Sequence, residues 1–477
     1  MICPVSTDFI TNFKNMTKRE IKIAIGQDPG EDLRNSKHVD FNTNLFGDKS
    51  KKIIKSILDE IKSNKLKFSV VNKKENISVL IANLYKIIRL GRRDYCHAPM
   101  NPKYFKDKNI GKLTKGKIGY NGWSAAVKIF KQLGYVQIVK GKEHQIAKGK
   151  ENQIVKGKKG WLSRIKYTEK FYNNVIEKFK LDPQDILKTK PNIVKTKTVI
   201  VKVKPYIIIK NNKKTKKKTK KVKVKVKVKN SRRTYQVFKR IENYNKLLLN
   251  TDITPGKMDF TTEKKTSFEN RTYTRRFVKS NLRLGGRFYG PYWQTLPKKY
   301  RKLIKINGEE VVELDYNAMH LHLLYSKLNK SLYDYYPFNK DPYAIPEYNR
   351  KIVKLVFTAC INENCTRKNI NHVGGKQVSE ALPDLYEEGL PYREMIDSLG
   401  KNHPEVAPLF YSEIGYEISY MESRVTDYIV TALTKHKIPV LSIHDSFIVV
   451  KSKVSFLRTK MQEAFTKLKY KSIPFIK

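Results

Sequence analysis

Residues 310–326 read EVVELDYNAMHLHLLYS, and this stretch decides how the second half of the chain folds. Val311, Val312 and Leu314 predict a short apolar strand that ends at Asp315, and the following AMHLHLLYSKL has the apolar period of a helix. A carboxylate that ends a strand and precedes a helix is well placed to hold a metal ion.

Residues 438–450, IPVLSIHDSFIVV, put a second carboxylate in a similar setting. Two apolar strands, IPVLSI and FIVV, flank His444, Asp445 and Ser446, which predicts a hairpin with an acidic tip. A charged group between buried strands costs stability unless it is used or paired. Two Asp residues on neighbouring strands are what two-metal phosphoryl transfer needs. Asp315 and Asp445 are therefore the candidate catalytic residues and the candidate ligands of two Mg²⁺ ions, with Mn²⁺ as the alternative.

Residues 349–362, NRKIVKLVFTACIN, lie between these two stretches and read as a helix. Arg350 and Lys354 are four residues apart and therefore share one face of that helix. Preplaced cations on one face suit the negative charge that develops on a triphosphate.

All three stretches resemble motifs of one polymerase family. ELDYNAMHLHLLY resembles motif A of the family A DNA polymerases and of the single-subunit phage-type RNA polymerases, and LSIHDSFIV is similar to their motif C. NRKIVKLVFTACIN looks like motif B, with its Arg-x-x-x-Lys, and the order of the motifs is that of the family. The resemblance covers about residues 281–455. It implies a right-hand polymerase palm with short fingers, similar to the compact forms of phages, virophages and plasmids.

The resemblance also implies roles for the matching residues. Arg350 and Lys354 are expected to bind the triphosphate of the nucleotide. Gly286-Arg287, in NLRLGGRFYGPYW, resembles the Thr-Gly-Arg segment of the family, so Arg287 is expected to hold the primer–template backbone through a bidentate phosphate contact. His444 is expected to contact the primer end.

Tyr316 and His320 are the candidates for contacts with the nucleotide sugar. In the family, the position five residues after the metal-binding Asp holds Glu in DNA polymerases and a small residue in RNA polymerases, and bulk there screens the 2′-hydroxyl. His320 is large, which favours deoxynucleotides, whereas Tyr316 packs either under the sugar or in the core. One of Glu422 and Arg424, on the helix before motif C, is expected to meet template or primer, with a surface salt bridge as the alternative. Arg424 is the residue assigned to nucleic acid.

Two positions keep the alternatives open. Asn362 stands eight residues after Lys354, where the family usually has Tyr, so sugar selection cannot be carried over from that position. Ser446 follows the His-Asp of motif C, as in the RNA polymerase form. A DNA polymerase is the preferred function. An RNA polymerase or primase is the first alternative, and a non-catalytic nucleic-acid-binding replication protein with a degenerate palm is the second.

The composition also indicates a nucleic-acid partner. The chain has 477 residues, which suggests two to four domains, and 98 Lys plus Arg against 44 Asp plus Glu give a net charge of +54. A cationic groove gains free energy from counterion release on a polyanion, whereas no apolar run approaches the length of a membrane span, so no membrane partner is expected. Four cysteines without a CxxC pair predict reduced thiols and an intracellular compartment. Richness in Lys, Asn and Ile suggests a viral, organellar or mobile-element origin.

Four regions of an α+β protein are expected along the chain. Residues 1–75 are basic, and residues 76–175 predict a winged-helix-like nucleic-acid-binding module, with a generic small α+β domain as the alternative. Its wing would contain the eight-residue repeat at 137–160. Residues 176–230 form a lysine-rich linker, in which alternating stretches predict strands and the intervening NNKKTKKKTKK is expected to be disordered. Residues 231–477 are the expected polymerase domain.

Overall fold

The structure is a computed structural model of the chain. Residues 1–36 of the basic N-terminal region and residues 140–160 of the eight-residue repeat lie outside the described residues. The structure describes residues 37–89, 95–139, 163–189, 194–196, 198–202, 206–210, 213–218, 221–225, 231–278, 282–362 and 365–477.

The described chain has the expected α+β character, with helices and mainly antiparallel sheets. It divides into two compact units. The first contains the described residues of Met1–Pro191 together with Asp259–Asn270, and the second contains those of Asn192–Met258 together with Arg271–Lys477. In the part of the chain that is described, no helix is both long enough and apolar enough to span a membrane.

The first unit is built from short strands around several helices. Its strands are β1 (Lys37–His38), β2 (Thr43–Leu45), β3 (Cys96–His97), β4 (Val136–Val139), β5 (Arg164–Tyr167) and β6 (Ile186–Lys188). Its labelled helices are α1 (Gly47–Ser63), α2 (Lys73–Arg89), α3 (Pro102–Asp107), α4 (Ile110–Leu113), α5 (Tyr120–Gln132) and α6 (Glu169–Phe171). A π-helical turn (Tyr172–Glu177), a 3₁₀ turn (Pro183–Asp185) and a short helix (Phe260–Lys265) complete it.

Helix α2 is the centre of the core of this unit. Nearly all of its side chains from Asn76 to Ile88 are buried, as expected for a helix that is apolar on every side. One sheet has the strand order β1-β3-β5-β4, and within it β3, β5 and β4 pair antiparallel. The order along the chain is therefore helix, strand, helices, strand and strand, with the last strand in the middle of the three.

This core extends beyond the interval 76–175. Ile53 and Ile57 of α1 are buried in it, and so are Leu181 and Ile186 from the other end. β2 pairs antiparallel with β6. Residues 176–189, which their composition assigned to the linker, thus belong to the folded unit, because their apolar side chains have a core to enter.

The described residues of the lysine-rich segment form five strands. β8 (Thr198–Lys202) pairs with β11 (Lys221–Lys225), which confirms the strands predicted from alternation. β9 (Tyr206–Lys210) pairs with β10 (Lys213–Lys218), so the disorder expected for this run of lysines is wrong for its described part. Backbone hydrogen bonds to an apolar partner strand form whatever the side chains are. β7 (Val194–Thr196) pairs parallel with a further strand of the second unit, at Arg275–Phe277.

The rest of the second unit alternates long helices with a central sheet. Its further strands are β12 (Ile253–Thr254), β13 (Thr274–Phe277), β14 (Gly285–Tyr289), β15 (Lys305–Ile306), β16 (Glu309–Asp315), β17 (Leu441–Ile443) and β18 (Ser446–Val450). Its helices are α7 (Arg232–Leu249), α8 (Lys298–Arg301), α9 (Met319–Lys327), α10 (Arg350–Cys360), α11 (Ile370–Ala381), α12 (Tyr392–Asn402), α13 (Gly415–Lys435) and α14 (Val454–Lys467). Short 3₁₀ turns lie at Tyr292–Gln294, Leu332–Asp334, Pro383–Leu385, Ala407–Leu409 and Lys451–Lys453.

The central sheet has the order β12-β15-β16-β18-β17 and is antiparallel throughout. β15 and β16 are joined by Asn307-Gly308, both with positive φ, which is the two-residue turn that suits the twist of a hairpin. β16 and β18 pair from Val311↔Val450 to Asp315↔Ser446. In this register Asp315, the polar last residue of β16, lies directly opposite Ser446, the first residue of β18.

Gly286 in β14 leads to a stability prediction. Its φ is +91°, and an added Cβ would lie 2.5 Å from Phe277 Cε1, whereas Gly308 has a φ of +80° and open space around it. We expect Gly286→Ala to lower the free energy of unfolding by about 3 kcal/mol, because backbone strain and overpacking add, and Gly308→Ala by about 1 kcal/mol from strain alone. Urea denaturation followed by circular dichroism measures both losses. Equal losses would contradict the close packing at β14.

Candidate functional site

Asp315 and Asp445 lie at adjoining ends of two neighbouring strands of the central sheet, β16 and β18. Asp315 is the last residue of β16 and pairs with Ser446, the first residue of β18. Asp445 is the second residue of the turn between β17 and β18, and its carbonyl accepts a hydrogen bond from Tyr316 N at 3.5 Å. The structure therefore brings together the two carboxylates that the sequence singled out.

The backbone beside each carboxylate is left-handed. His444, directly before Asp445, has a φ of +55°, and Ala318, three residues after Asp315, has a φ of +51°. A two-residue hairpin turn takes positive φ readily with glycine, and another residue there costs about 1 kcal/mol. His444 and Ala318 therefore each carry a backbone cost that glycine would avoid.

Asp315 lies in an electrostatically unfavourable place. Its burial, and then the charge of Asp445, raise its pKa to about 6. The positive charges of Lys354 and Lys298 lower the pKa of Asp315, so both ammonium groups lie within electrostatic reach of its carboxylate. Oδ1 of Asp315 is buried and has no hydrogen-bond partner among the described residues. Because a buried oxygen without a partner is costly, this atom marks a position that a cation would stabilise.

This donor set fits Mg²⁺. Within the described ranges, no three His, Cys, Asp or Glu side chains are grouped as a metal site. Phosphoryl-transfer enzymes bind Mg²⁺ through one or two carboxylates, waters and the phosphates of the substrate, so a third side chain is not required. Asp315 and Asp445 supply the two hard oxygen ligands, and the unpaired Oδ1 of Asp315 is available for this purpose.

Helix α10 carries Arg350 and Lys354, the two cations expected to bind a triphosphate. Of these two cations on α10, Lys354 lowers the pKa of Asp315. Arg350 donates from Nε to the carboxylate of Asp341, and its guanidinium carbon lies 5.7 Å from the ring centroid of Tyr343. The contact with Asp341 uses one of the five N–H donors of the guanidinium, so Arg350 is oriented by it and keeps donors for an anion.

Arg287 forms a charged cluster with two other side chains. Arg287 and His320 both contact Glu422, whose side chain is 2% exposed, and His320 Nε2 lies 3.0 Å from Glu422 Oε2 and 2.8 Å from Arg287 Nη2. Burial alone would raise the pKa of Glu422, but the charge of Arg287 and the hydrogen bond from His320 outweigh it and lower this pKa to about 2. The cluster is therefore held by a fully ionised, buried carboxylate.

His444 lies next to this cluster and packs against Tyr289, with ring centroids 5.5 Å apart. Burial lowers the pKa of His444, so its ring is neutral at pH 7. Its Nδ1 is buried and finds no hydrogen-bond partner in the described part of the chain. Its carbonyl accepts a hydrogen bond from Thr426 of α13 at 3.2 Å, which fixes the turn. His444 thus presents an unused polar atom beside Asp445.

Two predicted site residues lie elsewhere. Tyr316 is 1% exposed, and its hydroxyl donates to the carbonyl of Met461 at 2.6 Å, so it is a core residue and cannot contact a nucleotide. Arg424 is exposed on the opposite side of α13 from Glu422 and lies over the ring of Tyr470, 5.9 Å from its centroid. Arg424 is thus exposed and away from the buried cluster, and its contact with template or primer stays a prediction.

Two residues of the site were not assigned by the sequence. The charge pattern of the sequence does not decide between Glu422 and Arg424, although Glu422 shares with Ile418, Val425 and Ile429 the spacing of one buried helix face. That spacing could have identified it. Asp341 lies in a loop, and no pattern in the sequence points to its contact with Arg350.

Comparison with known proteins adds no relative: no protein-family model matches the chain, and no curated protein matches it.

The cluster leads to a prediction on stability and pH. We expect Glu422→Gln to lower the free energy of unfolding by about 3 kcal/mol at pH 7, because Arg287 loses its buried counter-ion. The folded pKa of Glu422 is about 2, below its ordinary 4.5, so this contribution is present above about pH 4.5 and is lost as the pH falls towards 2. Urea denaturation at pH 7 and at pH 3 measures it.

Glu417→Gln is the matched control on the same helix. Glu417 pairs with Lys327 at the surface and its side chain is 50% exposed, so we expect a loss below about 0.5 kcal/mol at either pH. An equally small loss for Glu422→Gln, or a loss that does not shrink in acid, would show that the buried ion pair does not support the fold.

Proposed function

We propose that the chain is a template-directed nucleotidyltransferase, with DNA polymerase as the preferred activity. In this reaction a 3′-hydroxyl attacks the α-phosphate of a nucleoside triphosphate, and pyrophosphate leaves. The observation that carries the proposal is the pair Asp315 and Asp445 at adjoining strand ends, with Lys354 within electrostatic reach. Two-metal phosphoryl transfer needs such a pair of carboxylates and such a cation.

We also propose that residues 231–477 form a right-hand polymerase palm. Its support is the antiparallel sheet in which one carboxylate ends β16 and the other lies in the β17–β18 hairpin. The helix α10, which carries the cations, lies between them in sequence, as motif B lies between motifs A and C in the family. The short distance along the chain from Asp315 to Asp445 supports abbreviated fingers.

For residues 76–175, within the first unit, we propose a winged-helix-like nucleic-acid-binding module. The support is the order α2, β3, α3 and α4, α5, β4, β5, with β5 between β3 and β4 in the sheet. A winged helix requires this order of helices and strands, with the hairpin of β4 and β5 directly after the last helix, α5. The connection between β4 and β5 contains the repeat, outside the described residues.

The residues of the chain have distinct tasks in the proposed reaction. Mg²⁺ held by Asp315 and Asp445 would activate the hydroxyl and offset the charge that develops on the phosphates. Lys354 and Arg350 bind the triphosphate, since both present positive charge on one helix face. His444 offers its free Nδ1 to the primer end.

His320 is held in a way that suits a steric screen for the sugar. Its Nε2 contacts both Arg287 and Glu422, and its side chain is 18% exposed. A ring fixed from behind by a buried carboxylate keeps its position, whereas a free side chain would move aside. This supports the preference for deoxynucleotides over nucleotides with a 2′-hydroxyl.

Primer extension tests the proposal. Purified protein is given a labelled primer–template and Mg²⁺ with either dNTPs or NTPs, and we expect extension with dNTPs that falls at least about a thousandfold in Asp315→Asn and Asp445→Asn, because each removes a metal ligand. Asp384→Asn, at an exposed carboxylate, is the control that keeps activity. Extension with NTPs alone would identify an RNA polymerase or primase. No extension despite tight nucleic-acid binding would leave the non-catalytic replication protein.

His320→Ala tests sugar selection separately. We expect this variant to incorporate NTPs at least about tenfold better relative to dNTPs, because the space beside the 2′-hydroxyl is opened. The ratio of kcat/KM for the matching NTP and dNTP measures the change. His436→Ala, on a residue at the end of α13, should leave the ratio as it is. An unchanged ratio in both variants would remove His320 from sugar selection.

A further inference from the structure

A strip of exposed side chains lies along the C-terminal segment of the second unit. From residue 471 to residue 477, exposed and buried positions alternate strictly, as they do in a strand with one covered face. The buried positions are Ser472, Pro474 and Ile476. The exposed positions are Lys471, Ile473, Phe475 and Lys477, and we refer to these four as the C-terminal strip.

The segment is fixed to the body of the unit through its covered face. The hydroxyl of Ser472, which is fully buried, accepts a hydrogen bond from Leu332 N at 2.8 Å and lies 2.7 Å from His322 Nδ1. At the other end, Arg458 donates to the carbonyl of Ile476 at 2.8 Å. Because both ends are anchored, the exposed side chains are held in a fixed order and spacing.

The last residue of the C-terminal strip, Lys477, lies directly beside Asp315 of the carboxylate pair. Asp315 and Lys477 exchange both backbone hydrogen bonds, at 3.1 and 2.9 Å, and Asn317 N donates to the carbonyl of Phe475 at 2.8 Å. Residues directly opposite each other in an antiparallel pair have their side chains on the same face. Lys477 and Phe475 are therefore on the face of the sheet that carries the side chain of Asp315.

A second aromatic side chain widens the strip. Phe338 is 65% exposed and Phe475 is 50% exposed, and their rings meet edge to face with centroids 6.0 Å apart. Tyr333 supports Phe338 from behind at 5.0 Å. Phenylalanine rings this exposed cost free energy in water, so a partner that covers them gains it back.

We propose that the C-terminal strip, together with Phe338, binds single-stranded nucleic acid, with unpaired bases stacked on Phe338 and Phe475 and phosphates near Lys471 and Lys477. Two exposed rings that adjoin lysines on an anchored segment are the combination that single-strand binders use, because every base has a face that can stack. A chain with a net charge of +54 also favours a polyanion over a protein partner. The binding of single-stranded nucleic acid does not depend on the proposed function. The further idea that this bound nucleic acid is the primer or template and leads to Asp315 does rest on it.

A stacking-sensitive probe tests the proposal on the full-length protein. An oligothymidylate that contains one 2-aminopurine is titrated in EDTA without nucleotide, because the emission of this base is quenched when it stacks. We expect the double variant Phe338→Ala/Phe475→Ala to bind about tenfold more weakly and to lose most of the quenching. Tyr386→Ala, which removes an aromatic side chain that is 43% exposed elsewhere, should bind and quench as the unaltered protein does.

Two further variants separate stacking from charge and from folding. Phe475→Leu keeps an apolar side chain but removes the ring, so the quenching should fall while the melting temperature stays the same. Lys471→Ala should reduce the slope of log affinity against log salt by about one and leave the quenching at saturation unchanged. A duplex of the same sequence should bind equally well to the double variant and the unaltered protein, since its bases are already stacked.

Three outcomes would overturn the proposal. They are single-strand binding and quenching that do not depend on the two rings, an equal loss of affinity for duplex, and a change of self-association in place of nucleic-acid binding. The test is independent of catalysis. Ring-dependent binding without primer extension would overturn the polymerase and keep the strip, whereas extension with ring-independent binding would do the reverse.

Discussion

The repulsion between two like charges at adjoining strand ends is the constraint around which the second unit is arranged. Asp315 and Asp445 are brought together by the register of β16 with β18, and the partial burial of Asp315 makes its charge costly. Lys354 and Lys298 offset part of that cost from a distance, but Oδ1 of Asp315 stays unpaired among the described residues. A cation bound between these carboxylates would relieve the cost and so stabilise the folded state, as linkage requires of any ligand that favours it.

Backbone pairing keeps this unfavourable arrangement in place. Asp315 is flanked on one side by Ser446 of the hairpin and on the other by Lys477, which exchanges both backbone hydrogen bonds with it. The left-handed His444 fixes the tip of the hairpin, and Thr426 of α13 holds its carbonyl. These contacts fix the backbone at both carboxylates, and the cost of their proximity and of burial shows as the raised pKa of Asp315.

The sequence predicted the parts of the site that depend on local pattern. Apolar runs that end at Asp315 and flank Asp445 predicted the strands, and strands that pair antiparallel bring such ends together. For Tyr316 the sequence left the sugar and the core open, and the structure gives the core, because side chains alternate between the faces of a strand and the residue after Asp315 points inward. The spacing of the buried residues on α13 distinguishes Glu422 from the exposed Arg424, and the two charges considered alone do not. The contact of Asp341 with Arg350 and the anchoring of residues 471–477 depend on segments that are distant in sequence and carry no periodic pattern.

The two cationic sides of the site differ in how firmly they are held. Arg287 is paired with a carboxylate that is 2% exposed, whereas Arg350 is paired with Asp341, and those two side chains are 40% and 33% exposed. Attraction between charges is strong where water is excluded and weak where water screens it. An incoming anion can therefore replace Asp341 at Arg350 at little cost, but it cannot replace Glu422 at Arg287. The exchangeable pair at Arg350 suits the proposed reaction, in which triphosphates arrive and pyrophosphate leaves, whereas the pair at Arg287 keeps the buried cluster in place.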